Sequence, residues 1–380
     1  MRLTKTITEH KPLSAYKYFL NNKKRSFSMI LAIAVSILAA MVFQLVFYAV
    51  AESGRMSMSG RLDYLTVVYP GDNGIVTKNI TDKIKGSSNL EKIVPMLVST
   101  TDYYHLFGNL NIPVYEINSE NLSYVIDRLG MKLVTGSLPK PDSNEILLDE
   151  KTLKNKGKRL GDYFGREINP DEKMPGKNKI AGVLKGDCLI GLMITNNSLY
   201  QQNGYLMFAK DGKLDSLNQV VTNVSSLDAK IQTKEYAEKF RKEELGTLLT
   251  ASSIIAVIII FIMSFAAGNS SYAQYFSRRY EFAMLQSLGY SRFRILIRAA
   301  KEILLINIAG LIMGILLLLI VALGLKILIF DPKGYPFVFI SPGGLFLALI
   351  IPMCTMVFSL IPAWWTLSRV DHMDIVEKYE

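Results

Sequence analysis

Apolar residues along this chain gather into four runs that contain no Asp, Glu, Lys, Arg or His: residues 26–51, 245–277, 303–325 and 334–368. Each is longer than the roughly 20 residues a helix needs to cross a hydrocarbon core about 30 Å thick. The pattern predicts an integral membrane α-helical protein with four transmembrane helices, over 26–51, 245–277, 303–325 and 342–368. Between the first two the pattern changes. Short β-rich runs (64–69, 112–117, 145–149) alternate with turn clusters such as Pro70-Gly71-Asp72-Asn73-Gly74 and with helix-like segments at 121–129 and 150–156. Residues 52–244 thus read as an inserted α+β domain, large enough to bury its own core. Its last stretch, 226–246, lacks proline, is rich in helix formers and runs directly into the second apolar run, as a helical stalk would.

Half of the 380 residues are hydrophobic and a fifth are charged, and two cysteines far apart in sequence exclude a disulfide scaffold. The net charge of +10 would suggest nucleic acid if it were spread over a soluble surface; instead +6 lies in residues 1–25 and +5 in 278–301, while 52–244 carries +1. Lys and Arg flanking membrane helices mark the cytoplasmic side. The N-terminus and the segment 278–301 are therefore placed inside, 52–244 and the loop 326–341 outside, and the tail 369–380 inside, although the tail's own charges do not support the rule. Ala49-Val50-Ala51 has the small-x-small form of a leader cleavage site, but the apolar run before it is longer than a leader's, so it is read as a retained helix.

Ionisable groups inside spans carry protons and ions in secondary transporters, and their absence from these runs argues against that class. No phosphate loop of the form G-x-x-x-x-G-K-[ST] and no H-E-x-x-H occurs, so the chain is read as a non-enzyme with no metal site and no cofactor of its own. The segment 276–291 reads instead as a short amphipathic helix: Phe282, Leu285 and Leu288 recur at i, i+3, i+6, Gly289 can end the helix in the left-handed conformation, and Ser291 can cap the next one.

Arg279-x-Glu281-Phe282-Ala-Met-Leu285-Gln-Ser-Leu288-Gly289-Tyr-Ser291 resembles the Arg-x-Glu-Ile-x-x-Leu-Arg-x-Leu-Gly-Ala-Ser signature of FtsX-like and MacB-like ABC transporter permeases. Leu13 to Arg25 resembles that family's amphipathic entry helix, four segments between Val134 and Leu184 resemble its outer-domain pattern, and Ile361-Pro-Ala-Trp-Trp-Thr-Leu-Ser-Arg-Val-Asp371 resembles its tail, with Trp364 and Trp365 as departures read as interfacial anchors. The resemblance implies a permease that dimerises, with itself or a related permease, contacts membrane lipid, and works with a separate cytoplasmic ATPase that binds the ATP and Mg. It implies ATPase coupling through Arg279, Glu281, Phe282, Leu285, Leu288 and Gly289 and, in the entry helix, through Leu13 and Phe19. Export or efflux driven by mechanotransmission, with a membrane-fusion or other outer partner, is the first reading. A signalling scaffold that activates a wall hydrolase is the second, and haem or metal binding at Tyr103-Tyr104-His105 the third. Gly310-x-x-x-Gly314 is a candidate for close helix packing.

Overall fold

The computed structural model describes residues 23–71, 78–106, 108–141, 143–195, 204–224, 229–339 and 342–369. Among these residues four helical runs are long and apolar enough to cross a membrane: span one (Ser26–Asp63), span two (Lys234–Ser277), span three (Arg292–Lys333) and span four (Gly343–Ser368). The chain divides into two compact units. A helical unit takes the described residues up to Val46, then Ala251–Gly324 and the described residues from Phe339 on, and a sheet unit takes Phe47–Thr250 with Leu325–Val338.

In the helical unit span one is central. Ile30, Ile33 and Ile37 are buried against Ala256 and Ile260 of span two, Ile306 and Leu318 of span three and Leu347 and Ile351 of span four. Glycine permits the approach. A Cβ on Gly310 would lie 2.7 Å from the Ile33 side chain and one on Gly314 3.0 Å from Ile37, so the two glycines of span three form a flat strip that receives the isoleucines of span one. Polar links add register: the Thr355 hydroxyl of span four donates to the Asn307 side-chain oxygen of span three, and Ser252 of span two reaches Gln44 of span one at 3.4 Å.

Among the described residues of the sheet unit ten strands form one mixed sheet, β1 Thr66–Pro70, β2 Leu90–His105, β3 Gly108–Ile117, β4 Lys132–Gly136, β5 Glu145–Asp149, β6 Tyr163–Phe164, β7 Asn178–Lys185, β8 Gly191–Ile194, β9 Gly204–Ala209 and β10 Ala229–Gln232. Their order is β10-β1-β9-β2-β3-β8-β5-β7-β4, with β6 paired to β7. The long β2 joins the halves, pairing with β9 through Met96 and with β3 from Leu97. Side chains alternate between two cores as the pleat requires. Tyr115, Leu147 and Leu192 point into one with Leu122, Val125 and Ile126 of α2 (Ser119–Arg128), whereas Val114, Ile146, Leu148 and Met193 point into the other with Phe164 and Met174. Helix α1 (Lys78–Lys85) and helix α4 (Leu214–Val224) supply Ile84, Leu217 and Val221 to a third cluster beneath β1 and β9. Helix α3 (Glu150–Asn155) follows β5 directly, its first turn capped by the Asp149 carboxylate, which accepts from the Thr152 backbone N–H at 2.9 Å.

Several boundaries differ from the reading of the sequence, beginning with span one, expected to end at 51, whose helical run continues to Asp63. The stalk does not begin at 226, because 229–232 pair with β1 as strand β10; the helix starts at Lys234, where the Thr233 hydroxyl caps it. Span three starts at Arg292 and continues to Lys333, so the segment 326–341 expected as a loop is helical in its first half. Residues 325–338 are part of the sheet unit. Tyr103 donates to the Gly334 carbonyl at 2.8 Å, and the Asn155 amide holds the Lys333 carbonyl at 2.9 Å while bonding Tyr104 through both its oxygen and its nitrogen. Composition marks 326–333 as a loop because it carries Lys326, Asp331 and Lys333, but a helix end may carry charge wherever it meets a polar neighbour.

Candidate functional site

Helix α5 (Arg279–Ser287) lies between spans two and three and ends as its sequence prescribes. Gly289 adopts φ +90°, the Tyr290 N–H returns to the Leu285 carbonyl at 3.1 Å, and the Ser291 hydroxyl accepts from the Arg294 N–H at 3.4 Å to start span three. The turn folds the helix back on the spans. Phe282 is 1% exposed and Leu285 5%, both packed with Tyr275, Ile295, Ala299, Ile303, Ala363 and Leu367. These two residues, expected on the ATPase-facing surface, are instead the underside of α5. A short helix against apolar spans buries its most regular apolar stripe inward, since that burial is worth about 1.5 to 3 kcal/mol per large side chain.

Ion pairs lock the same face. Arg278 binds Glu281 at 2.8 Å and Glu302 at 2.7 Å, and Arg298 binds Glu281 at 2.9 Å and Glu302 at 3.1 Å, closing a ring of two arginines and two glutamates between α5 and the first turns of span three. Burial works against the charge on Arg278, but its bonds to Glu281 and Glu302 hold the guanidinium above its ordinary range. Burial alone would push the Glu281 carboxyl up; Arg278 and Arg298 overcome it and hold it low. Glu281, expected to face a partner, is thus committed to the interior ring. Arg278, Arg298 and Glu302 are not among the coupling residues expected from sequence, because their pairing joins residues up to 24 positions apart.

What α5 offers outward is a second stripe. Tyr280, Met284 and Leu288 recur at i, i+4, i+8 and are 48%, 56% and 68% exposed, with Phe293 beyond the turn at 70%. Arg279 lies at their edge, its guanidinium 4.7 Å from the Phe276 ring and 5.0 Å from the Tyr280 ring. Of the expected residues, then, Arg279, Leu288 and the Gly289 turn belong to this outward surface, and Gly310 and Gly314 pack on span one. Leu13 and Phe19 lie outside the described residues. The i, i+4 spacing of Tyr280, Met284 and Leu288 was visible in the sequence beside the i, i+3 stripe and carries the exposed face.

The Tyr103-Tyr104-His105 motif caps the β2–β3 hairpin, and its residues are joined to the 333–335 segment. The His105 ring sits 5.7 Å from that of Tyr335. Burial holds its imidazole down at about 4, so it is neutral at physiological pH. Among the described residues no three His, Cys, Asp or Glu side chains are grouped to hold a metal ion. Above the ordinary His value the docked hairpin has its full stability; as pH falls from about 6.5 toward 4 the unfolded chain takes up a proton that the docked ring refuses, and roughly 2 kcal/mol is lost after allowance for partial exposure. Thermal unfolding at pH 7 and pH 4.5 checks this: His105→Phe should lose distinctly less on acidification than the natural chain, and equal losses would contradict it. Beside this joint a groove of about 690 Å³ is lined by Lys151, Lys185, Asp187, Lys326, Phe330 and Phe337 among others. Its charges are mixed, and Glu150 and Asp187 are already paired with Lys154 and Arg55.

Residues 253–371 match the FtsX-like permease C-terminal family. The periplasmic region of MacB from Actinobacillus actinomycetemcomitans is similar at 14% identity and a TM-score of 0.30, over 48% of this chain and 95% of that one. The extracellular domain of the noncanonic ABC-type transporter YknZ from Gram-positive bacteria is similar at 16% identity and a TM-score of 0.27, over 44% of this chain and 99% of that one. A search of curated proteins by sequence returns no match.

Proposed function

We propose, from the premise that this chain is an FtsX-like permease of the ABC type, that it is the membrane subunit of an export complex and docks a separate cytoplasmic ATPase on the outward face of α5. The exposed stripe Tyr280, Met284 and Leu288, with Phe293 at the start of span three beside it, supports the reading: these large side chains stand exposed on and next to a helix whose other face is pinned by burial and a ring of ion pairs. A docking element needs that rigidity, because a push on a loosely held helix is dissipated locally. ATP and Mg belong to the ATPase. This chain's residues receive its motion at α5, pass it through the ring of ion pairs to span three, and pass it on through the stalk helices of spans one and two to the sheet unit, which lies outside the cell. The basic segments 1–25 and 278–301 support that sidedness. A permease subunit so built dimerises with a second permease and performs no chemistry of its own.

The test is binding. The chain is co-expressed with a candidate cytoplasmic ABC ATPase, and the complex is purified in detergent. Met284→Asp and Leu288→Asp together should reduce ATPase retention at least ten-fold while the melting temperature of the permease stays unchanged, since both side chains are exposed and apolar interface anchors contribute about 2 kcal/mol or more each. Full retention in the double variant would refute docking at this face. A scaffold that activates a wall hydrolase would dock the ATPase in the same way, so export itself is read separately, from stimulation of ATP hydrolysis by candidate compounds in the reconstituted complex.

A further inference from the structure

The groove beside the β2–β3 hairpin is built wholly from residues of the sheet unit, and the docking face on α5 makes no use of it. Its volume of about 690 Å³ falls within the roughly 300 to 1,000 Å³ usual for small-molecule sites. One wall is α3 with the end of β7 and the turn after it, and the other is the end of span three with the residues that follow, 326–337.

The charge of the groove is less mixed than its composition suggests. Lys154 holds Glu150 at 2.7 Å, Arg55 holds Asp187 at 2.7 Å, and the buried Asp149 carboxylate accepts from Thr152. What is left is Lys151, Lys185 and Lys326 against Asp331, and among the described residues none of these three lysines forms an ion pair. Their field reaches the rim: Lys154 holds the Glu150 carboxyl below its ordinary range against the effect of burial, and Lys185 and Lys151 add to it. Ammonium groups gathered on one groove repel one another, and an anion among them relieves that repulsion.

The floor is aromatic. Phe330 is 2% exposed, its ring meets that of Phe337 edge to face at 5.3 Å and that of Tyr335 at 6.2 Å, and the Lys326 ammonium stands 5.8 Å from the Phe337 ring. The same helix identifies the anion. Lys326 directly follows the charge-free run 303–325, and the next two residues, Ile327 and Leu328, are 64% and 78% exposed. Apolar side chains of a membrane helix that meet no protein meet lipid, so lipid reaches the level of Lys326, where hydrocarbon gives way to headgroups. Basic pockets at that level bind anionic headgroups. A small soluble anion gains nothing from an aromatic floor, whereas the glycerol backbone and first methylenes of a lipid do.

We propose that this groove binds the headgroup of an anionic phospholipid from the leaflet at this end of span three, with the phosphate among Lys151, Lys185 and Lys326 and the glycerol backbone against Tyr335 and Phe337. Lysine suits the role, because its ammonium is a compact donor that meets a phosphate from any side. A lipid so held fastens 326–337 to α3 and the end of β7. The site goes beyond the docking of an ATPase and stands or falls without it.

Hydrogen–deuterium exchange of the full chain, compared between nanodiscs of phosphatidylcholine alone and nanodiscs of phosphatidylcholine with phosphatidylglycerol, tests it. Exchange at 150–154, 184–187 and 326–335 should be about ten-fold slower in the mixed discs, the scale of one charge-assisted contact, while 112–117 in the sheet core exchanges equally in both. Arg292 and Arg294 at the other end of span three attract the same lipid, so the place of the protection is the readout and the amount of lipid bound is not. Lys151→Gln, Lys185→Gln and Lys326→Gln together remove the charge with little loss of side-chain length and should abolish the difference, with exchange in phosphatidylcholine discs as in the natural chain. Lys185→Glu, at an exposed position, should do the same and decides the matter if the triple variant does not fold. Equal exchange in the two kinds of disc, or a difference that survives these variants, overturns the proposal. Glycerol 3-phosphate added to the phosphatidylcholine discs is the second arm: protection by it, with none from phosphatidylglycerol, would make the groove a site for a soluble phosphate and overturn its assignment to lipid.

Discussion

Replacing Glu302 with alanine is expected to destabilise the α5 end of the helical unit by about 3 to 5 kcal/mol, the range measured when one partner of a buried ion pair is removed. Glu302 is the only carboxylate of the ring that is nearly inaccessible, with a side chain 5% exposed, and it binds both Arg278 and Arg298, whose side chains are 6% and 8% exposed. Its loss leaves two buried guanidiniums sharing Glu281. Because Phe282 and Leu285 are held by the same contacts, α5 should detach from the spans before the rest unfolds. Exchange of the 279–287 amides in the purified protein reads this, rising at least a hundred-fold, together with a clear drop in melting temperature. Glu302→Gln keeps the geometry of the hydrogen bonds without the charge and should lose less. If Glu302→Ala melts with the natural chain and α5 stays protected, the ring is ornamental and the proposed route from α5 to span three loses its first link.

The second large effect is at Gly334. Its backbone has φ +66°, and a Cβ there would lie 2.1 Å from the Lys151 carbonyl and 3.1 Å from the Lys151 Cα, both backbone atoms that cannot rotate aside. Left-handed geometry alone costs a non-glycine residue about 1 to 3 kcal/mol, so Gly334→Ala combines strain with overlap. The expected result is separation of 331–337 from α3 and the hairpin, with the Tyr103 hydroxyl and the Asn155 amide losing their partners at Gly334 and Lys333. Exchange at 149–156 and at 331–337 should rise together, while the sheet core at 112–117 and 190–194 stays protected. Lys333→Ala, one residue earlier, serves as the control and should leave both segments closed. Protection unchanged in Gly334→Ala would mean that the joint does not depend on this close approach.

How far these features were legible in the sequence differs by element, for physical reasons. Charge-free runs announce the spans because a hydrocarbon core excludes ionisable groups; β5 at 145–149 follows from a short apolar β-rich run between turn clusters, and the helix end at Gly289 from the left-handed preference of glycine. The ends of the spans are not announced in this way. A helix that leaves the bilayer can run on through Lys326 or begin early at Arg292, because beyond the membrane its continuation depends on packing partners distant in sequence. The direction of α5 is hidden for another reason. It carries two apolar stripes, Phe282 with Leu285 and Tyr280 with Met284 and Leu288, and periodicity ranks neither as the buried one. Arg298 and Glu302 decide the question from 17 and 21 positions beyond Glu281, so the decisive information is tertiary.

The order of strands in the sheet unit also sets an order of events during synthesis. Strand β1, the first to emerge, pairs among the described residues with β9 and β10, whose last residue is Gln232. Until those strands are made, β1 lacks its partners among the described residues, and two residues after Gln232 the chain enters the helix of span two. The sheet therefore closes as span two is handed to the membrane. A chain interrupted before residue 232 leaves an open strand edge attached to an inserted helix, a species prone to pair with its neighbours and one that quality control should meet whenever insertion of span two is slowed.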